Sequence, residues 1–80
     1  MIKKLYSVYD KKGQVTLGIY EQQNDLVAIR DFSLVCKKED TPIIKFPEDY
    51  SLLYLGELDQ ETGIITSGVK TIAEAKDYTE

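Results

Sequence analysis

SLLYLGEL (51–58) is a stretch in which both alternating sets of side chains are largely apolar. That pattern is typical of a strand in the middle of a sheet or covered on both faces. The next residues, DQETG (59–63), form turns readily, and Gly63 can adopt the left-handed conformation that a hairpin loop needs. We therefore predict a central strand over 51–58, a hairpin loop over 59–63 and a returning strand over 64–66.

Two further strands are predicted near the start of the chain. IKKLYSVY (2–9) is rich in β-branched and aromatic residues, and QVTLGIY (14–20) follows a turn at 10–13. Alternation in the first of these strands places Ile2, Tyr6 and Val8 on one face and Leu5 and Tyr9 on the other. The two segments together predict an antiparallel pair.

The helical signal lies between these strands, at 25–38. Asn24 is a good N-cap, and Lys37 and Lys38 suit the negative end of a helix dipole. The apolar residues recur at helical spacing and form one stripe, which consists of Ala28, Ile29, Phe32, Val35 and Cys36.

The remaining segments complete an α+β pattern. Pro42 disfavours helical angles at the preceding residue, and 43–46 is predicted as a short strand or an extended packing segment. TIAE (71–74) matches a capping box, which predicts a short C-terminal helix over 72–78. We expect residues 1–80 to form a single small domain in which one helix packs on a small, mostly antiparallel β-sheet.

The composition excludes most catalytic chemistry. The 80 residues contain no His and one Cys, which removes His-assisted nucleophiles, the commonest transition-metal ligand and an internal disulfide. Cys36 lies on the apolar stripe, and the acidic pairs at 48–49 and 59–61 lie in predicted turns. The glycine spacing matches no phosphate-binding loop. We expect no enzyme activity, no metal and no cofactor.

Charge is distributed unevenly along the chain. The net charge is −4, with a balance of +2 over residues 1–45 and −6 over residues 46–80. No apolar run is long enough to span a membrane, and the N-terminus lacks the apolar core of a signal peptide. These features predict a soluble cytoplasmic protein with no membrane contact.

Tyrosines and lysines suggest one kind of binding. Tyr6, Tyr9 or Tyr54 could stack on unpaired bases while neighbouring lysines hold phosphates. The alternative is that the tyrosines pack at the edge of a small core, with their hydroxyl groups in water. The sequence pI of about 4.7 opposes backbone binding, which usually needs a basic surface.

Three segments resemble one known family. MIKKLYSVYD (1–10), NDLVAIRDF (24–32) and FPEDYSLLYLGELDQETGII (46–65) resemble the small nonstructural protein of gokushoviruses, tailless single-stranded DNA phages of the microvirus family. The matching positions are mostly caps, core residues and turns, namely Asn24, Asp25, Ala28, Arg30, Phe32, Pro47, Glu48, Asp49, Tyr50, Gly56 and Gly63.

The resemblance implies a role in viral DNA synthesis, at the switch to single-stranded genome production, in the cytoplasm of the bacterial host. We therefore expect binding to single-stranded DNA or to a replication intermediate. The expected contacts are Lys3, Lys4, Lys11, Lys12, Arg30, Lys37, Lys38, Tyr6 and Tyr9. Arg30 could instead form an ion pair with Asp31, Glu48 or Asp49.

A second hypothesis is a protein-interaction module that binds a phage or host replication protein without touching nucleic acid. Its acidic second half, comprising Glu48, Asp49, Glu57, Asp59 and Glu61, would then attract a basic partner. Under either hypothesis we expect a homodimer or small homo-oligomer, because a small sheet with an apolar, uncovered face invites a symmetric partner.

Overall fold

The computed structural model describes residues 1–79, which form a four-stranded antiparallel sheet with one long helix. The strands are β1 (Ile2–Asp10), β2 (Val15–Gln22), β3 (Tyr50–Asp59) and β4 (Ile65–Glu74). Their spatial order is β2-β1-β3-β4, and every neighbouring pair is antiparallel. The α+β class and the central position of β3 are confirmed.

The helices lie between β2 and β3. Helix α1 spans Asp25–Cys36, and a single helical turn, α2, spans Pro42–Lys45. A 3₁₀ turn over Pro47–Asp49 leads into β3, and another over Ala75–Asp77 follows β4. The Asn24 side chain caps α1 as predicted, because its oxygen accepts a hydrogen bond of 2.9 Å from the backbone N–H of Val27.

Two local predictions are wrong. Residues 42–45 are helical instead of extended, since Pro42 occupies the first helical position, where its fixed φ is favourable and its missing N–H is harmless. The capping-box sequence at 71–74 lies inside β4, where Thr71 pairs with Leu53 and Glu74 with Ser51. The ladder with β3 outweighs the local capping signal, and the predicted helix over 72–78 is reduced to a 3₁₀ turn.

The core lies on one side of the sheet. Tyr6 and Val8 of β1 and Leu52 of β3 are buried in one cluster with the inner side of α1. The other buried members of this cluster are Ala28, Phe32, Cys36, Ile43, Tyr50, Ala73 and Ala75. The predicted apolar stripe of the helix therefore supplies the second wall of the core.

Tyr6 connects the sheet to the start of α1. Its side chain is fully buried, and its hydroxyl group donates a 2.5 Å hydrogen bond to the Asp25 carboxylate. Burial, and then the neighbouring Asp25 carboxylate, raise the pKa of Tyr6 far above its usual value. The hydroxyl group therefore stays protonated and continues to donate at neutral pH.

β-Bulges bend the sheet at two glycines. Gly18 has a φ of 78° where β2 carries an extra residue opposite β1, and its carbonyl oxygen accepts a hydrogen bond from the Ser7 hydroxyl group. Gly56 lies at the bulge between β3 and β1, with a φ of 149°. A Cβ atom there would lie next to the backbone oxygen of Thr66, so no other residue fits without moving β4.

Replacing Tyr6 with Phe removes the hydroxyl donor and leaves the Asp25 carboxylate without its partner. Because hydrogen bonds to charged groups contribute about 1.5–3 kcal/mol, we expect Tyr6→Phe to lower the free energy of unfolding by about 2 kcal/mol. Urea denaturation measures this change. Tyr9→Phe, at a half-buried position on the other face, should change it by less than about 0.5 kcal/mol. Equal effects would contradict the role given to the Tyr6 bond.

A second pair of variants tests the bulge at Gly56. We expect Gly56→Ala to destabilise the fold by about 3 kcal/mol, because steric overlap with β4 adds to the unfavourable φ. Gly63→Ala is the matched control, since Gly63 has a φ of 79° but no neighbouring atom within 4 Å of the added Cβ. It should cost about 1 kcal/mol in the same urea titration.

Candidate nucleic-acid interface

The direction of α1 brings several lysines to one end of the molecule. The helix begins beside Tyr6, and its later part reaches the C-terminal segment, where the Phe32 and Tyr78 rings meet edge to face at 6.4 Å. The β1–β2 hairpin lies at this same end. The backbone N–H of Lys11 donates a hydrogen bond to the Asp49 carbonyl oxygen, and the Lys11 ammonium group donates one to the Glu74 carboxylate. The C-terminal end of α1 and the β1–β2 hairpin loop therefore lie at the same end of the sheet.

We call this region the lysine end. Two of its lysines lie in the β1–β2 hairpin, two follow α1, and two line a surface depression formed by α2 and the turns beside it. The six are Lys11, Lys12, Lys37, Lys38, Lys45 and Lys76. Four of them were predicted as DNA contacts, and the fold places those four at the same end of the molecule.

Acidic side chains accompany these lysines. Lys11 forms an ion pair of 2.7 Å with Glu74, whereas the other five lysines form no ion pair with residues 1–79. The acids in the same segments are Asp10, Glu39, Asp40, Glu48, Asp49, Glu74 and Asp77. The lysine end therefore carries charges of both signs, with seven acids beside its six lysines.

Phe46 gives the lysine end an exposed aromatic ring. It follows α2 and is 58% exposed, which makes it the one aromatic side chain of residues 1–79 with more than half of its surface in solvent. Lys45 and Lys76 line the same depression. The sequence did not indicate this ring as a contact, because an aromatic residue in a predicted extended segment is expected to pack inward.

The other predicted contacts lie elsewhere. Lys3 is 3.6 Å from Glu21, at the opposite end of β1, and Lys4 is its neighbour on that strand. Arg30 is exposed on α1 with its Nε 3.8 Å from Asp31, the ion-pair alternative given above. Tyr9 is half-buried on the face opposite the core.

The predicted role of Tyr6 needs correction. Its ring has no exposed surface, because it lies beneath the start of α1 and packs edge to face against Tyr54, with 5.6 Å between the ring centroids. A base therefore has no access to it. Tyr54 is partly exposed, with the Lys70 ammonium 5.4 Å from its ring centroid, so its outer side is already occupied by a cation.

A narrow cleft separates α1 from the edge strand β2. Its volume is about 120 Å³, and it is lined mainly by apolar side chains that include Tyr20, Phe32 and Val35. The Gln22 amide donates a 2.9 Å hydrogen bond to the Asp31 carboxylate at the same place. The cleft exists because β2 extends past the surface that the helix covers.

The thiol of Cys36 is unsuited to nucleophilic chemistry. It is fully buried, and burial raises its pKa to about 11, with the nearby Lys37 lowering it slightly. The thiolate is therefore scarce at neutral pH. Across residues 1–79 no group of three potential metal-ligating side chains comes together.

These pKa shifts predict alkaline destabilisation. Tyr6, Tyr50 and Tyr54 also have raised pKa values, chiefly because of burial. A group whose pKa is higher in the folded state stabilises the fold below its unfolded pKa, and this contribution disappears as the pH rises. We expect the urea midpoint to stay level through pH 8 and to fall above about pH 9. Cys36→Ala should move the pH at which the urea midpoint begins to fall towards about pH 10, where tyrosine titrates. If this pH is unchanged in the variant, the first part of the fall does not come from the Cys36 thiol.

The molecule is thus a small α+β protein with a one-sided core and a lysine-rich end. No helix within residues 1–79 is long and apolar enough to cross a membrane. The family model described as "Phage ORF5 protein" matches residues 3–78, nearly the whole chain. The chain therefore belongs to the phage ORF5 protein family, and it is a phage protein. No curated protein and no solved structure matches it.

Proposed function

We propose that this phage protein is a non-enzymatic factor in viral DNA synthesis that binds single-stranded DNA or a replication intermediate. The step is the switch to single-stranded genome production in the cytoplasm of the bacterial host. Family membership supports a phage role, and the resemblance of 1–10, 24–32 and 46–65 to the gokushovirus nonstructural protein supports the more specific assignment.

The proposal rests on the exposed Phe46 ring, which lies in a surface depression that Lys45 and Lys76 also line. Proteins that bind single strands without sequence preference combine aromatic rings for base stacking with cations for the phosphates. Lys37 and Lys38 follow α1 at the same end and add two further cations. The arrangement fits a short, unpaired stretch of DNA.

The accompanying acids set the expected strength. Each lysine that contacts a phosphate releases counterions, while Glu48 and Asp49, which line the same depression as Phe46, repel the backbone. Attraction and repulsion largely offset each other, so base stacking supplies much of the affinity. We expect micromolar binding at low salt, with a moderate loss of affinity as salt is added.

Removing cations from the lysine end should weaken DNA binding in a defined way. We expect Lys37→Ala combined with Lys38→Ala to lower affinity for a labelled oligothymidine about tenfold at low salt, and to reduce the logarithmic salt slope by about 1.4, because each phosphate contact on a single strand contributes about 0.7. Phe46→Ala should lower affinity about tenfold, from the loss of one stacked base, without changing the slope. Fluorescence anisotropy titrations at several salt concentrations measure both quantities.

Lys4→Ala combined with Arg30→Ala is the matched control. It also removes two positive charges, but from positions outside the lysine end, and should leave affinity within about twofold. Absence of binding at low salt would overturn the proposal. Equal weakening by the control pair would overturn the assignment of binding to the lysine end.

The second candidate is a protein-interaction module that binds a replication protein through an acidic surface. Glu57, Asp59 and Glu61 lie at the β3–β4 hairpin, which is at the opposite end of β1 from the lysine end. Lys3 and Lys4 of β1 are at the same end as these acids. Within residues 1–79, Glu57 and Asp59 form no ion pair, and Glu61 makes only a 4.0 Å approach to the N-terminal amine. These acids remain available to steer a basic partner.

Affinity capture from phage-infected cells distinguishes the two candidates. Recovery of a specific protein that persists after nuclease treatment, and is lost in the variant Glu57→Gln with Glu61→Gln, would favour the interaction module. Recovery that disappears with nuclease would favour DNA binding.

A further inference from the structure

Within residues 1–79, one face of the sheet carries no second layer. In β1, Tyr6 and Val8 face the core, so the alternating side chains of Leu5 and Tyr9 face the other way. By the same alternation, the neighbours of the core-side residues in β2, β3 and β4 also face away from the core. This side of the sheet, which we call the open face, carries six apolar side chains, Leu5, Tyr9, Ile19, Leu53, Leu55 and Val69. The smaller polar residues Ser7, Ser51 and Thr71 lie among them on the same side.

None of these six side chains belongs to the core cluster or packs against it. Those on the two central strands are half-buried by their neighbours in the sheet, whereas Ile19 and Val69 on the edge strands are 68% and 65% exposed. The described helices and turns contribute their buried side chains to the opposite side. A contiguous apolar surface of this kind is typical of an interaction site.

Charges on the open face are already paired within the chain. Lys3 lies beside Glu21 at one end of the face, and Lys11 beside Glu74 at the other. The face therefore presents an apolar centre between two neutral ion pairs, so it attracts neither a polyanion nor a strongly charged protein. A second surface that is also apolar and neutral is therefore its best electrostatic match.

We propose that the open face is covered by the open face of a second copy of this chain. Two sheets packed face to face about 10 Å apart would give a symmetric dimer with four layers, a helix layer on each outer side and two sheets between them. The sequence of β3 supports this packing, because both of its alternating sets are apolar and only one set is buried in the single chain.

The size of the face suits a dimer. Four strands with a spacing of about 4.8 Å and a length of about nine residues give a surface of roughly 20 by 30 Å. That is on the order of 600 Å² before the relief of the side chains is counted, near the 800 Å² per partner of an ordinary specific interface.

The sheet edges are less suited to self-association than the face. The bulge at Gly18 interrupts the outer strand β2, and two register shifts interrupt β4. Bulged edges pair poorly with another strand, because the spacing of the backbone donors and acceptors is irregular. The apolar face therefore offers the better contact.

Two exposed positions test the interface without disturbing the core. We expect sedimentation equilibrium of the unaltered chain to show a dimer. Ile19→Lys and Val69→Lys should each weaken dimerisation at least tenfold, because the introduced lysine would place a charge inside the contact between the two copies. Leu26→Lys is the matched control, since Leu26 is 78% exposed but lies on α1, away from the open face. It should leave the dimer unchanged. Far-UV circular dichroism confirms that each variant is folded.

Each alternative result has a defined meaning. A chain that stays monomeric into the millimolar range would overturn the proposal, as would a dimer that both sheet variants leave intact. A dimer disrupted by Leu26→Lys and not by the sheet variants would place the contact on the helix and would also overturn it. The test is independent of DNA binding, which is measured on a different surface.

Discussion

A hydrogen bond from the buried Tyr6 hydroxyl group to the Asp25 carboxylate anchors the helix to the sheet. It joins the middle of β1 to the first turn of α1, and so fixes where the helix starts over the sheet. From there the helix runs along β1 and delivers Phe32 and Cys36 to the core. The same direction carries Lys37 and Lys38 to the end where the β1–β2 hairpin lies. The position of the start of α1 therefore affects both the core and the candidate interface.

A one-sided core has consequences for a chain of this size. A single helix covers the central part of one face, which leaves β2 bordering a narrow cleft and the opposite face uncovered. A small domain buries a limited fraction of its surface. Covering its apolar face would therefore supply a large share of the further stabilisation that the chain can gain. Association through that face would bury apolar surface that the single chain leaves in contact with water.

Charges of both signs are found at the two ends of the sheet. The lysine end has six lysines, seven acids and the exposed Phe46 ring, whereas the β3–β4 hairpin end has Glu57, Asp59 and Glu61 near Lys3 and Lys4 of β1. The open face between the ends is neutral, because its ion pairs are internal. Nucleic-acid binding and self-association can therefore occupy separate surfaces of the same molecule.

Local periodicity and capping were enough to predict the α+β class, the Asn24 cap, the apolar stripe of α1 and the central strand β3. Other features follow from contacts between distant parts of the chain. Pairing with β3 made 71–74 a strand despite its capping box, and packing of α1 buried Tyr6 while Phe46 stayed exposed. Whether an aromatic ring is buried or available depends on which elements cover it, and that is set by contacts between residues distant in the chain.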